Sequence, residues 1–522
     1  MMNIVIEENP AYDCLDMLIA AIAKYHNNDY RLMFRDAWRF IYYENKIWGS
    51  LGDKIEMHSL KWAYLAKYHG MESNIVTKDT LTEKIKFLRE QIKLENPLII
   101  KMDVFNCHWI IRSYKAKHSN HFCIVTDIDD ENIYCIDSYV VNKKVALPYK
   151  DFEEGNSVFI TFDFKQHDKE VDWRDLIEKE LSCIKKYNMI DSIIKFSKDV
   201  QQYFDVEKEI EPYKEKISDS PTITKLAEVY RNRRRFAMSL TYLMEQYDIN
   251  DLKVIIDRLL YVSNVWSMVY GMLIKANYIE NSSEYIEKVT KKLEEVASFE
   301  EEIISELYRL VNNESVKPFT PFTQYTNCEF SKYQYVDITS HFNNNAIGDK
   351  ENNQKSYPNI LGDNRFLVLN ENLKMDFLEI ENMKFRLADY LNHTYDNIEC
   401  FSQIINIEQI DGTNYDNICI LGCCDIGSHS NDIIINYNDG TKEKKVLYLT
   451  SWLGESPRFN DIIAWIGEGA VIKEKEIKCY DFDVHLYANI IAVDSSKTIK
   501  SIELPYCPNI HIFSMTLAKK DD

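Results

Sequence analysis

No stretch of this 522-residue chain reaches eighteen consecutive apolar residues, so none is long enough to span a bilayer as a helix. Its start, Met1-Met2-Asn3-Ile4-Val5-Ile6-Glu7-Glu8, has no basic region ahead of an apolar stretch. The expectation is a cytoplasmic protein with no membrane partner. Positive charge is also in short supply: 62 basic residues stand against 83 acidic ones, a net charge of −21. That balance repels DNA, RNA and anionic lipid and argues against a nucleic-acid partner. The twelve cysteines form neither a disulfide framework nor paired C-x-x-C motifs for zinc, so no metal is expected and most thiols should be free and buried. What remains is ordinary globular material, 45% apolar and 13% aromatic, enough for about three domains with their own cores.

Within that frame one cysteine stands out. Asn9-Pro10-Ala11-Tyr12-Asp13-Cys14 runs into Leu15, Met17, Leu18, Ile19, Ala21 and Ile22, a turn that gives way to apolar residues at helical spacing. Cys14 then lies in the first turn of a helix. There, unpaired backbone N–H groups and the positive end of the dipole favour a thiolate, the reactive form of cysteine.

About a hundred residues later, His121-Phe122-Cys123-Ile124-Val125-Thr126-Asp127 and Ile133-Tyr134-Cys135-Ile136-Asp137 read as two strands, with a polar turn between them. An antiparallel hairpin sets His121, which opens the first strand, beside Asp137, which closes the second. Such a pair serves a nucleophilic thiol: the imidazole moves the proton, and the carboxylate fixes its tautomer and steadies the imidazolium. Other residues compete for these roles. His118 precedes the apolar strand and reads as a solvated loop residue; Asp127 and Asp103 are alternatives to Asp137. Cys107 and His108 are adjacent, and neighbours on a strand face opposite ways.

The order Cys14, His121, Asp137, with a helix-borne cysteine and a His-Phe strand, resembles papain-like enzymes of the bacteriocin-leader peptidase type, the peptidase C39-like group. More closely, residues 1 to about 165 resemble the amino-terminal domain of the butirosin acyltransferase group, protease homologues of antibiotic pathways that make amide bonds. The resemblance implies an acyl group carried on the phosphopantetheine thioester of an acyl or peptidyl carrier protein and passed to a small amine, with no cofactor bound to the enzyme itself. It implies Cys14 as nucleophile, His121 as base and Asp137 as orienting acid. The pattern places a Gln about six residues before the cysteine as oxyanion donor, where this chain has Glu8 and Asn9. Asn9 supplies an amide, and the backbone N–H groups at Cys14 are the alternative.

An α+β layout is expected. Residues 1–165 mix helices at 14–26, 32–44, 58–69 and 80–94 with later strands at 97–102 and 157–162, the arrangement a papain-like domain requires. Residues 166–317 read as an all-helical bundle, with segments at 171–188, 190–211, 222–247, 249–278 and 283–312. Within it, Arg231, Arg233, Arg234 and Arg235 form a basic run suited to docking an acidic carrier, or else a helix face that pairs with nearby acids. Trp266, Met268, Tyr270 and Met272 are either the lining of an acyl tunnel or bundle core.

Residues 318–522 read as an all-β sandwich, with Asn438-Asp439-Gly440 as a hairpin turn. Segments such as Val336-Asp337-Ile338-Thr339-Ser340-His341-Phe342 and Ile502-Glu503-Leu504-Pro505-Tyr506-Cys507 resemble the jelly-roll modules attached to bacterial glycosidases. The likeness implies aromatic sugar contacts, with Trp452, Trp465 and Tyr480 as candidates, although burial in the core is the expected fate of each. For a cytoplasmic enzyme the module reads as a device for stability, for contact in a homodimer or for closing the substrate pocket. Adjacent Cys423 and Cys424 read as structural. The function expected from the whole is amide-forming acyl transfer; a papain-like cysteine peptidase and a non-catalytic scaffold that binds through the β module are the alternatives.

Overall fold

Alternation of apolar side chains along successive strands gives the first layer, because a strand sends neighbouring residues to opposite faces. The computed structural model describes residues 2–44, 49–57, 59–110, 113–140, 143–165, 171–214, 216–279, 282–319, 329–350, 360, 364–390, 395–408, 413–473 and 476–520; Cys328 falls outside them. The chain begins with α1 (Cys14–Tyr25), β1 (Ile41–Tyr42), β2 (Ile55–Glu56), α2 (Lys61–His69), β3 (Met71–Val76) and α3 (Leu81–Lys93). It continues with β4 (Leu98–Asp103), β5 (Asn120–Ile128), β6 (Asn132–Ile136), β7 (Lys144–Pro148), α4 (Tyr149–Gly155) and β8 (Val158–Phe164). Six of these strands form one antiparallel sheet in the order β3-β8-β4-β5-β6-β7. Its Ile99, Ile124, Ile136 and Ile160 pack with Leu18 and Ile22 of α1. On the other face Ile100, Cys123, Val125 and Cys135 pack with Leu88 of α3 and Phe152 of α4.

The helix expected at 32–44 does not form. Arg31–Phe34 makes a single 3-10 turn, and Ile41–Tyr42 pairs with Ile55–Glu56. Every residue from Leu32 to Tyr42 is buried, so the segment has no solvent face of the kind an amphipathic helix presents. The other three expected helices appear as α1, α2 and α3.

The middle of the chain is helical: α5 (Trp173–Lys186), α6 (Met189–Tyr203), a short α7 (Val206–Glu209), α8 (Pro221–Tyr247), α9 (Leu252–Lys275) and α10 (Ser282–Val311). The expected 190–211 helix stops at Tyr203, and a new turn starts where the Asp205 carboxylate accepts from Glu207 N–H. Ser220 caps α8 and Pro221 occupies its first position, where a missing N–H loses nothing. One apolar core runs from α1 and the sheet into α5, α6, α8, α9 and α10. The change near residue 165 is thus a change of element type, not a break in packing.

A separate core fills the C-terminal β-sandwich. One sheet runs Ile347–Gly348, Arg365–Val368, Ile462–Lys473, Glu476–Ala492, Asn417–Cys424, Tyr506–Lys520, Ile398–Phe401, with Phe330–Val336 also paired to Tyr506–Lys520. The second runs Ile404–Asn406, Ile499–Glu503, His429–Tyr437, Lys442–Leu449. The hairpin expected at Asn438-Asp439-Gly440 joins the last two, with Gly440 at φ 84°. The sandwich packs directly on the bundle. A Cβ on Gly271 of α9 would fall 2.0 Å from the Ile426 carbonyl oxygen, so only glycine allows this approach.

Candidate active site

The turn before α1 is built by its own side chains. Asp13 Oδ1 accepts from Asp16 N–H at 2.8 Å, and Asp16 Oδ2 reaches back to Asp13 N–H, a reciprocal cap. Cys14 is therefore the first helical residue, half-buried, with the Leu15 N–H directed at its sulfur. That N–H favours a thiolate, yet burial, followed by the charges of Asp13, Asp137 and Asp16, pushes the Cys14 thiol up to about 11. The expected resting thiolate is corrected accordingly: the capping acids that fix the helix start also oppose negative charge on the sulfur.

The β5–β6 hairpin brings its two residues together. His121 Nε2 lies 2.6 Å from Asp137 Oδ2, and both side chains are out of solvent, at 1% and 0% exposure. Two further donors hold the carboxylate: Trp109 Nε1–H to Oδ2 at 2.8 Å and Tyr139 N–H to Oδ1 at 2.8 Å. The Tyr139 ring lies flat on the imidazole, centroids 4.8 Å apart at 7°. With Nε2 committed to Asp137, Nδ1 is the nitrogen left for chemistry. Cys14 shares the locus, since Asp137 raises its thiol and Cys14 in turn, after burial, raises the Tyr139 phenol. Among the described residues no hydrogen bond joins Cys14 to His121. Trp109 and Tyr139 escaped the sequence reading; for Tyr139 the available signal is its place two residues after Asp137, in the turn that follows the strand.

The rival residues fall elsewhere. His118 is exposed and holds Asp103 at 2.6 Å through Nδ1, while stacking on Phe105. Asp127 accepts from its neighbour Ile128 N–H. Cys107 is buried, and its thiol is pushed well above the ordinary range by burial and the Asp137 charge. Of the oxyanion candidates, Glu8 is exposed, and a carboxylate has no N–H to give. Asn9 spends Oδ1 on Ala11 N–H at 2.9 Å, which leaves its NH2 group.

The arginine run divides. Arg231 is the outermost, partly exposed beside Glu228, and its charge reaches Tyr139. Arg233 is fully buried, 2.7 Å from Glu300, which also takes hydrogen bonds from Trp38 and Trp266. Arg235 is buried against Asp16 at 2.6 Å, with Asp13 and Glu228 on its other edges, while Lys61 covers the second oxygen of Asp16. Arg233 and Arg235 are thereby corrected as docking residues: they are internal counterions, and Arg235 anchors the helix that carries Cys14. Arg234 is partly buried and, among the described residues, bonds the neutral Ser263 Oγ and Asn264 Oδ1. Trp266, Met268 and Met272 are core, with Tyr270 half-buried.

In the sandwich Trp452 and Trp465 are buried, Trp465 donating to Asn370 Oδ1, and Tyr480 is half-buried, stacked on Phe482. Cys423 and Cys424 are buried free thiols. Glu399, Asp425 and His511 bring ligand-type atoms within 4.8 Å of one another. Lys275 of α9 already lies among them, with Nζ 2.5 Å from both carboxylates. The cluster is therefore an internal ion pair across the bundle–sandwich contact. Among the described residues no helix is long and apolar enough to cross a membrane.

The family model of the AziU2-like beta-sandwich domain, a family from natural-product pathways, matches residues 332–521, essentially the whole sandwich. No curated protein matches the chain.

Proposed function

We propose that the chain is a cysteine-dependent acyltransferase of natural-product biosynthesis, with a papain-like catalytic part in residues 1–165. One observation carries this reading: a buried His121–Asp137 pair, further held by Trp109, at the first turn of the helix that bears Cys14. The family match of the sandwich supports the pathway class, and the resemblance to the butirosin acyltransferase group supports synthesis over hydrolysis.

In this mechanism the donor is an acyl thioester on the phosphopantetheine arm of a carrier protein. His121 Nδ1 takes the Cys14 proton as sulfur attacks the thioester carbonyl, which suits a thiol that rests protonated. The tetrahedral oxyanion faces the Cys14 backbone N–H, which has no hydrogen-bond partner among the described residues, and the Asn9 amide. Collapse expels the phosphopantetheine thiol, which takes the proton from His121, and leaves an acyl-Cys14 thioester. A small amine then attacks that carbonyl, His121 accepts its proton, and Cys14 leaves as the thiol while the amide departs. Asp137 holds the Nε2–H tautomer throughout and steadies the imidazolium.

The test is intact mass spectrometry of the protein mixed with acyl-loaded carrier proteins, followed by a diamine chase. An adduct on the wild type, absent from Cys14→Ala and released as an amide, is the expected result. His121→Ala should slow its formation by about 10²–10⁴-fold. No adduct from any carrier, with Cys14-dependent cleavage of a peptide library instead, would transfer the assignment to a peptidase. Neither adduct nor cleavage would leave a scaffold.

A further inference from the structure

Three parts of the chain converge on one small cavity of about 70 Å³. Pro10 contributes from the turn that leads into Cys14, Arg234 from α8, Asn264 and Ser267 from α9, and Ser428 and Arg458 from loops of the sandwich. The volume suits a single polyatomic anion or the head of a larger ligand.

The cavity's charge is unbalanced. The other three arginines of the run each have a carboxylate: Arg231 has Glu228, Arg233 has Glu300 and Arg235 has Asp16. Arg234 forms no ion pair among the described residues, although Glu455, which also lines the cavity, exerts a favourable pull on its charge. Its Nε donates to Ser263 Oγ at 3.0 Å and its Nη2 to Asn264 Oδ1 at 2.6 Å. These two bonds fix the plane of the guanidinium and leave Nη1 without a protein partner among the described residues. Arg458 adds a second positive charge to the lining, balanced by Glu455 at 2.8 Å. One positive charge is left over in a partly buried site, where isolated charge is costly. Burial and the neighbouring Arg458 charge push the Arg234 guanidinium down to about 10, outweighing the opposing pulls of Tyr230 and Glu455. Neutral donors are at hand as well. Ser428 Oγ accepts from Ser451 N–H and, among the described residues, donates its own proton to no partner; Gly427 lies beside it in the lining.

We propose that this cavity is an oxyanion-binding subsite, taking the phosphate or carboxylate group of a ligand through Arg234, with Arg458 as the second cation. Because Pro10 belongs to the turn that ends at Cys14, the subsite would hold the charged end of the molecule whose thioester meets the nucleophile; this second statement rests on the acyl-transfer reading, and the first does not. It also gives the sandwich a direct role, since Ser428 and Arg458 complete the site.

The full-length protein is titrated with inorganic phosphate and, separately, with acetate at constant ionic strength, by calorimetry and by thermal shift against a chloride control. Wild type should bind one of the two anions saturably, with phosphate and acetate telling the two ligand chemistries apart. Arg234→Gln should weaken that binding at least tenfold, and Arg458→Gln, in a sandwich loop, should weaken it several-fold. Should Arg234→Gln fail to fold, Arg458→Gln decides alone. Absence of saturable binding to wild type, or unchanged affinity in the variants, overturns the subsite. Loss of the Cys14 adduct would overturn only the acyl-transfer reading, because these titrations do not depend on it.

Discussion

Cys14 sits where a helix start and a ring of acids pull in opposite directions. The Leu15 N–H favours the thiolate, but burial and the charges of Asp13, Asp137 and Asp16 outweigh it and push the thiol up to about 11. Alkylation of Cys14 by iodoacetamide should therefore climb steadily from pH 7 to pH 10 without a plateau. The measurement needs a Cys479→Ser background, because Cys479 is exposed and competes for reagent. A plateau near pH 7 would instead reveal a resting thiolate–imidazolium pair. At this scale the sequence was informative about identity and silent about state. The Cys14, His121 and Asp137 spacing could be read from one hairpin and one helix start. The acids' net effect on sulfur could not, because it depends on how deeply the first turn is buried. Trp109 is a clearer omission: it reaches Asp137 from a loop 28 residues away in the chain, a distance no local period encodes.

At the scale of elements, α1 is held to α8 by charge as well as by apolar packing. Asp16 is fully buried, and Arg235 meets it 2.6 Å away across 219 residues of chain, with Lys61 on its other oxygen. Removing one member of a buried pair strands the other. Arg235→Met should lower stability by about 3 kcal/mol in chemical denaturation. The double variant Asp16→Asn/Arg235→Met should recover at least about 1 kcal/mol of that loss, since its buried acid is gone. Strictly additive losses would show that the pair is not coupled. Helical periodicity placed α1, α2, α3 and the five long helices of the bundle within a few residues, apart from the premature end of α6. It failed at 32–44, where every residue is buried and the pattern carries no face to read. It also read the arginine run as surface, because a charged residue that pairs inside and one that faces water look alike in one dimension.

For the whole molecule, the contact between bundle and sandwich is polar at its centre. Lys275 joins Glu399 and Asp425, Asn509 and His511 contact Asp425, and Tyr285 donates to Asn509 Oδ1 at 2.5 Å. His429 lies beside this network, donating Nε2–H to the Ile426 carbonyl; burial, together with the Lys292 and Lys275 charges, pushes it down to about 4 against the opposing pull of Asp425. A histidine lowered on folding stabilises fully above its unfolded value near 6.5, and that contribution is lost as pH falls toward 4. The loss amounts to about 3 kcal/mol. Asp461, raised by burial to about 6, works the other way over much of this window, gaining stability as pH falls. The clean readout is therefore a difference: the melting-temperature advantage of wild type over His429→Gln should shrink between pH 7 and pH 4.5. A constant advantage would refute the assignment. Taken by itself, the sequence determined most element types, the helical middle and β-sandwich end, and the hairpin that pairs His121 with Asp137, because helical and strand periods and a single turn are local properties. Only the tertiary structure decided that the first two parts share one core, that two arginines are internal counterions and that Arg234 and Arg458 line one small cavity, because each arises from residues that meet only after the chain has folded back on itself.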